Sequence, residues 1–427
     1  MKNRIFMLII CLALVSSGNA ARLMNENPLI ISTTEDLVAF AKSVNGGDSF
    51  RGKTVKLSAD IWLNDTTGWK KWDRQTKLKS WTPIGTSQIP FEGTFDGDGH
   101  YIAGLFMKAG SETFCQGLFG FLRRAVVKNT RICFSHIIAY NYVGALAGHI
   151  SFNTQILNCS NESIVENDRN FSGGLIGFSS GQNRIIGCRN YGRVYGHRCV
   201  GGIVGYFEGG SIYNSFNRGD IVGRYEHVGG IIGEFSEPYQ KSVKDTELKE
   251  LPNDTVANCY NTGTIMARDV AGGIAGHINL HSIQVSTWKV VFANNYSAGK
   301  IHTIYPVVTD GLVGVYAYFA DPDNLIIPSV DRINRDGAAC YWSEESCKMN
   351  TLRKPRFEGN KLRTDSWNKI MYGTMKIPDS FRYFSADEMK QQSFVDLLNK
   401  WADKKKVFSL WSQDEKNVNN GFPVFIN

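Results

Sequence analysis

Apolar residues in the middle of this chain recur in short alternating runs bounded by glycine. They do not follow the i, i+3, i+4 spacing of a buried helix face. The stretch Val200 to Val228 is representative. It reads as three β-like runs, Gly202–Phe207, Ser211–Phe216 and Asp220–Val222, separated by Gly-Gly and Asn-Arg-Gly turns. Near the N-terminus, Leu29 to Ile31 reads as a strand. A helix is predicted from about Ser32–Thr34, with Glu35 as capping partner and Leu37, Val38 and Ala41 on its apolar side. A second capping box, Ser385 to Glu388, opens a predicted helix reaching Trp401.

The pattern is periodic. A Gly-Leu/Ile-small-Gly box closes at Gly120, Gly148, Gly177, Gly205 and Gly233, at spacings of 28, 29, 28 and 28 residues. Further boxes close at Gly276 and Gly314, 43 and 38 residues on, as expected of the same unit carrying insertions. A second box alternates with the first: Cys159-Ser-Asn161, Cys188-Arg-Asn190, Ser215-Phe-Asn217, Cys259-Tyr-Asn261 and Asn295-Tyr-Ser297. A fixed period in this range marks a solenoid or propeller. A propeller blade needs about 40 residues and four strands, whereas three strands in 28 residues suit one coil of a parallel β-helix. The predicted fold is therefore all-β: a right-handed parallel β-helix of eight to ten coils, with short helices capping or flanking both ends. Stacked coils align like positions into ladders about 4.8 Å apart. The Cys/Ser column is placed inward, and the Asn column is predicted to form an amide ladder at a turn.

Four segments follow: a signal peptide at 1–20, an N-terminal capping segment at 21–53, repeats at 54–345 and a C-terminal closing segment at 346–427. Lys2 and Arg4, an apolar run over residues 5 to 15, and a small-residue site ending at Ala20 compose an export signal. That run is too short to span a membrane, and no later stretch is long and apolar enough. The mature chain is thus expected to be secreted or surface-associated, with no transmembrane segment. Of the nine cysteines, eight remain after the signal; Cys340 and Cys347 are the best disulfide candidates. A net charge of +7, spread evenly, excludes a nucleic-acid partner.

Trp81-Thr-Pro-Ile-Gly85, Phe91-Glu-Gly-Thr-Phe-Asp-Gly-Asp-Gly-His100, the Gly-Gly-Ile-Val-Gly boxes and Asn420-Gly-Phe-Pro-Val424 together resemble GLUG-motif repeat proteins over nearly the whole mature chain. The resemblance implies an exported or surface protein of bacteria, adhesin-like or of the gut Bacteroidetes kind. It is specific for architecture and weak for activity.

Candidate chemistry is sparse. Asp96, Asp98 and His100 could bind Ca²⁺ or serve acid–base work, but an Asp/Gly turn explains them as well. His149, His197, His227 and His277 recur near coil turns, in no common register, and are assigned to the surface. No His-Glu-x-x-His, EF-hand, P-loop or Cys-x-x-Cys pattern occurs, so no metal site and no cofactor are expected. The residue between the Cys and Asn columns is Arg189, Phe216, Tyr260 and Tyr296 in four successive coils. If the cysteines point inward, this row points outward. Phe216, Tyr260 and Tyr296, with Trp69 and Trp72 of the basic insertion Asn64 to Ser80, are the ligand-binding candidates. The expected partner is a host or microbial glycan or protein. The expected function is non-catalytic binding, against two alternatives: a carbohydrate-active β-helix enzyme and a structural spacer.

Overall fold

A computed structural model describes residues 27–73, 76–108, 110, 113–236, 254–280, 290–304, 384–403 and 406–426. It also describes the strands Val308–Asp310, Val313–Tyr318, Cys340–Ser343, Phe357–Glu358, Lys361–Leu362 and Phe381–Phe384. The expected export signal, residues 237–253 and Cys347, the expected disulfide partner of Cys340, lie outside the described residues.

The chain winds into a parallel β-solenoid of about seven turns. Three sheets form its faces, and the smallest, of seven strands, contributes one strand per turn. The expected eight to ten turns is an overestimate, because the first strands, Leu29–Ile31 and Thr54–Leu57, extend one face without completing a lap. Register runs by the sequence period: Val200 pairs with Val228, Ile212 with Val256, and Val194 with Ile221. Each Ile/Val column therefore fills one continuous core.

One lap departs from the three-run expectation. Val204–Tyr213 is a single ten-residue strand, not two. Gly209 and Gly210, read as a turn, both adopt positive φ within it. Glycine takes that conformation at no steric cost, and the extra residue of the bulge at this level lies in the neighbouring strand. The neighbouring strand Ile176–Ile186 shifts register between Ser180 and Asn183 at the same level.

Two columns form as expected. Cys159, Cys188, Ser215 and Cys259 are all fully buried. Burial pushes the Cys188 thiol up to about 12, so the column behaves as small apolar filler. Cys115, Cys133, Cys159, Cys188 and Cys199 are free thiols. In the amide ladder, Asn161 donates to Asn190 at 2.9 Å, Asn190 to Asn217 at 2.7 Å, and Asn217 to Asn261 at 2.8 Å. A second ladder, Asn214, Asn258 and Asn294, occupies a left-handed corner at φ near 50°. Asparagine tolerates that conformation better than most residues.

Both flanking helices exist. Thr34–Asn45 is capped by Thr33, with Asp36 as the reciprocal partner in place of the expected Glu35. Its Leu37, Phe40, Ala41 and Val44 cover the first laps, Phe40 lying edge-on to Phe91. The predicted C-terminal helix is interrupted, running as Ala386–Met389 and Gln392–Ala402. This segment docks along the flank of the laps bearing Asn214, Asn258 and Asn294, whose side-chain amides donate to the carbonyls of Val407, Ser409 and Leu398. Among the described residues, no helix is long and apolar enough to cross a membrane.

Candidate binding cleft and a polar corner

The row Arg189, Phe216, Tyr260 and Tyr296 is in register and outside the solenoid core, as its alternation requires. Its rings stack: Phe216 on Tyr260 at 4.7 Å, and Tyr260 on Tyr296 at 5.1 Å with a 2° interplanar angle. The exposure expected of it is absent. Phe216, Tyr260 and Tyr296 are 5%, 0% and 0% exposed. They lie beneath Met389, Phe394, Leu398, Trp411 and Phe422 of the C-terminal segment. The physical reason is plain: an apolar stripe on a sheet face is covered by whatever amphipathic segment the chain can bring to it. The Tyr296 hydroxyl is satisfied by Pro423 O at 2.5 Å and Asn419 Nδ2 at 3.1 Å. The Tyr260 hydroxyl accepts from Arg218 at 2.6 Å.

Where the cover ends, a cleft of about 690 Å³ opens. Its floor is Phe216 and Tyr260, one wall is Arg189, Tyr191 and Arg218, and the other runs from Ser412 to Lys416 and from Val424 to Ile426. Tyr191 is exposed and meets Phe216 edge-on at 5.4 Å. The Arg218 guanidinium lies 4.6 Å over Phe216 and donates to Val418 O. Asp414 is committed to structure, accepting the backbone N–H groups of Val418, Asn419 and Gly421. The aromatic surface that the cleft offers is that of Tyr191, since Phe216 and Tyr260 are buried.

Trp72 is buried against Phe106 and Ile138, which removes it as a contact residue. Trp69 is half-buried, edge-on to Phe134 at 6.2 Å. Exposed rings there are Trp62 and Phe134, stacked at 6.4 Å, neither of which was a binding candidate from the sequence. The acidic motif is structural. Asp96 pairs with Lys128, Asp98 with Lys56 and His100 with Asp60. Burial works against the Asp96 charge, but Lys128, Asn129 and the Asp98 N–H outweigh it and hold its carboxyl below the usual range.

The histidine assignment needs correction. His149, Phe178, Tyr206, Glu234 and His277 form one cross-lap row. His227 and His277 are buried, each 4% exposed. Opposite that row runs another of left-handed residues, Tyr142, Phe171, Cys199 and His227. The closing glycines of the repeat bring the two rows together. A Cβ on Gly233 would lie 2.4 Å from the Cys199 carbonyl carbon, and one on Gly276 would lie 2.6 Å from that of His227. In the early laps this corner holds rings, with Tyr142 stacked on Phe171 at 5.1 Å. In the later laps it turns polar. His227 Nδ1 is 2.8 Å from Glu234 Oε2, Cys199 Sγ is 3.1 Å from the same oxygen, and His227 and His277 stack at 4.1 Å. Burial opposes the Glu234 charge, yet His227 and His277 hold it well below the usual range. Burial and the Glu234 charge push the Cys199 thiol well up.

Fold and sites place the chain among parallel β-solenoids with a flank-docked C-terminal segment. No family model matches the sequence. Halomucin of Haloquadratum walsbyi is 30% identical over 168 residues, which is 39% of this chain and 2% of Halomucin. A crystal structure from Bacteroides ovatus, described as a candidate immunoglobulin A1 protease, aligns over 94% of this chain and 93% of that one. The identity is 16% and the TM-score 0.45, too low to argue any activity.

Proposed function

We propose that the chain is an exported, GLUG-type surface or secreted binding protein, adhesin-like, that holds a glycan in the cleft between the solenoid flank and the C-terminal segment. The rim of the cleft carries the reading: Arg189 and Tyr191 stand exposed there, beside the buried Phe216 and Tyr260. A sugar ring stacks on an exposed aromatic face, here that of Tyr191, while its hydroxyls take charged and amide partners. Of the two acids lining the cleft, Asp414 is held by three backbone amides, so the catalytic alternative would rest on the exposed Glu415.

A glycan and host-matrix array with the mature protein tests this. The Arg189→Ala/Tyr191→Ala double variant alters exposed residues only and is expected to lose at least tenfold in affinity for whichever glycan the wild type captures. Equal binding by the variant would remove the cleft from consideration. A wild type that captures nothing would favour the spacer.

A further inference from the structure

We propose that Cys199, His227 and Glu234, closed by His277, bind one thiophilic divalent transition-metal ion of the Zn²⁺ kind.

Sγ of Cys199, a ring nitrogen of His227 and a carboxylate oxygen of Glu234 all lie within 4.8 Å of one another, and all three residues are buried. Their separations are 2.8 Å, 3.1 Å and 3.8 Å. A tetrahedron with bonds of about 2.1 Å has edges of roughly 3.4 Å, so an ion enters with shifts of a few tenths of an ångström. Three successive laps supply the donors: Cys199 from one, His227 and Glu234 from the next, His277 from the third.

His277 is a separate observation. It is 4% exposed, and among the described residues neither ring nitrogen makes a hydrogen bond. Its Nδ1 stands 3.5 Å from Glu234 Oε1. A buried imidazole whose nearest polar partner is a carboxylate oxygen at 3.5 Å is under-satisfied, and a metal bond is one way to complete it. Asn279 donates to Glu234 Oε1 at 3.1 Å, which orients the carboxylate.

Donor chemistry selects the ion. One thiolate with imidazole favours Zn²⁺ or its neighbours over Ca²⁺ and Mg²⁺, which prefer all-oxygen shells. Binding releases the thiol proton to solvent and forms the S–metal bond. The thiolate and the Glu234 carboxylate then neutralise the dication, which suits a buried place.

A Cys–His–acid catalytic arrangement fits worse. There the acid and the nucleophile use different ring nitrogens, whereas here Cys199 and Glu234 both address Nδ1 of His227.

The test uses the full mature chain, stripped with chelator and titrated with Co²⁺ and then Zn²⁺. The expected result is one equivalent bound, with a sulfur-to-cobalt charge-transfer band. Cys199→Ser should abolish the band and weaken Zn²⁺ by at least about 100-fold, and His277→Ala should weaken it at least tenfold. Cys188→Ser, an inward thiol elsewhere in the core, should keep the band, and circular dichroism checks that each variant folds. No binding by the wild type, or wild-type affinity in Cys199→Ser, would overturn the site. Wild-type affinity in His277→Ala would overturn the four-ligand assignment.

Discussion

Asn190 donates its amide hydrogen to Asn217, one lap on, at 2.7 Å, and a second hydrogen to Gly192 O at 2.8 Å. Both asparagines are fully buried. Replacing Asn190 with Ala leaves Asn161 without its acceptor and Asn217 without its donor. The loss should be about 2–4 kcal/mol, since each buried group left unpaired costs roughly 1–3 kcal/mol. Urea titration of Asn190→Ala, with unchanged m-value, reads it directly. A change under 0.5 kcal/mol, within the range of an ordinary surface substitution, would mean that the ladder contributes nothing to stability.

The closing glycines are predicted to be intolerant for reasons of space. A Cβ on Gly205 would sit 2.6 Å from Ser172 N and 2.7 Å from Gly177 O. Both are backbone atoms, so no side-chain rotation relieves the contact. Gly205→Ala should destabilise by about 3 kcal/mol, the upper end of overpacking penalties. Gly99→Ala is the contrast: nothing lies within 4 Å, but φ is +85°, so its cost is conformational and near 1 kcal/mol. Thermal midpoints of the two variants should fall in that order.

The aromatic row and the cleft rim should separate in mutation. Tyr260→Ala removes a fully buried ring that touches Tyr296, Trp411 and Phe425. It should cost about 3–5 kcal/mol and expose the C-terminal segment to limited proteolysis. Arg189→Ala/Tyr191→Ala should leave the melting curve in place. If the Tyr260 variant resists protease as the wild type does, the C-terminal segment is held by something other than this row.

His149 gives the stability a pH dependence. Burial among Phe121, Phe178 and Tyr142 depresses its pKa to about 4. An unfolded histidine titrates near 6.5, so between these values the unfolded chain binds the extra proton. Stability from this group is complete above pH 6.5 and falls as the pH drops toward 4. The loss is at most about 3 kcal/mol at 1.36 kcal/mol per unit. His149→Phe should flatten that window in denaturation midpoints measured from pH 7 to 4. An equally steep wild-type and variant profile would assign the acid sensitivity elsewhere.

Much of the solenoid was legible in the sequence. The glycine spacing implied the lap, and the inward Cys188 column and the Asn161–Asn190–Asn217–Asn261 ladder followed from register alone. Local chemistry also read well at Ser385 and Glu388, which form the expected capping box. It read less well at Glu35, where Asp36 has the better reach to the Thr33 N–H.

What the sequence determined by itself is therefore whatever repeats. A period forces equal positions to stack, and stacking dictates which side chains point inward. Tertiary structure alone decided the rest. The outward row was read correctly in direction, but only the docked C-terminal segment buried Tyr260 and Tyr296, and nothing in a repeat announces which non-repeating segment will cover it. The same holds for Cys199, His227, Glu234 and His277. Their spacings of 28, 7 and 43 residues match no local metal motif. They meet because glycines without a Cβ let two rows close at one corner across three laps.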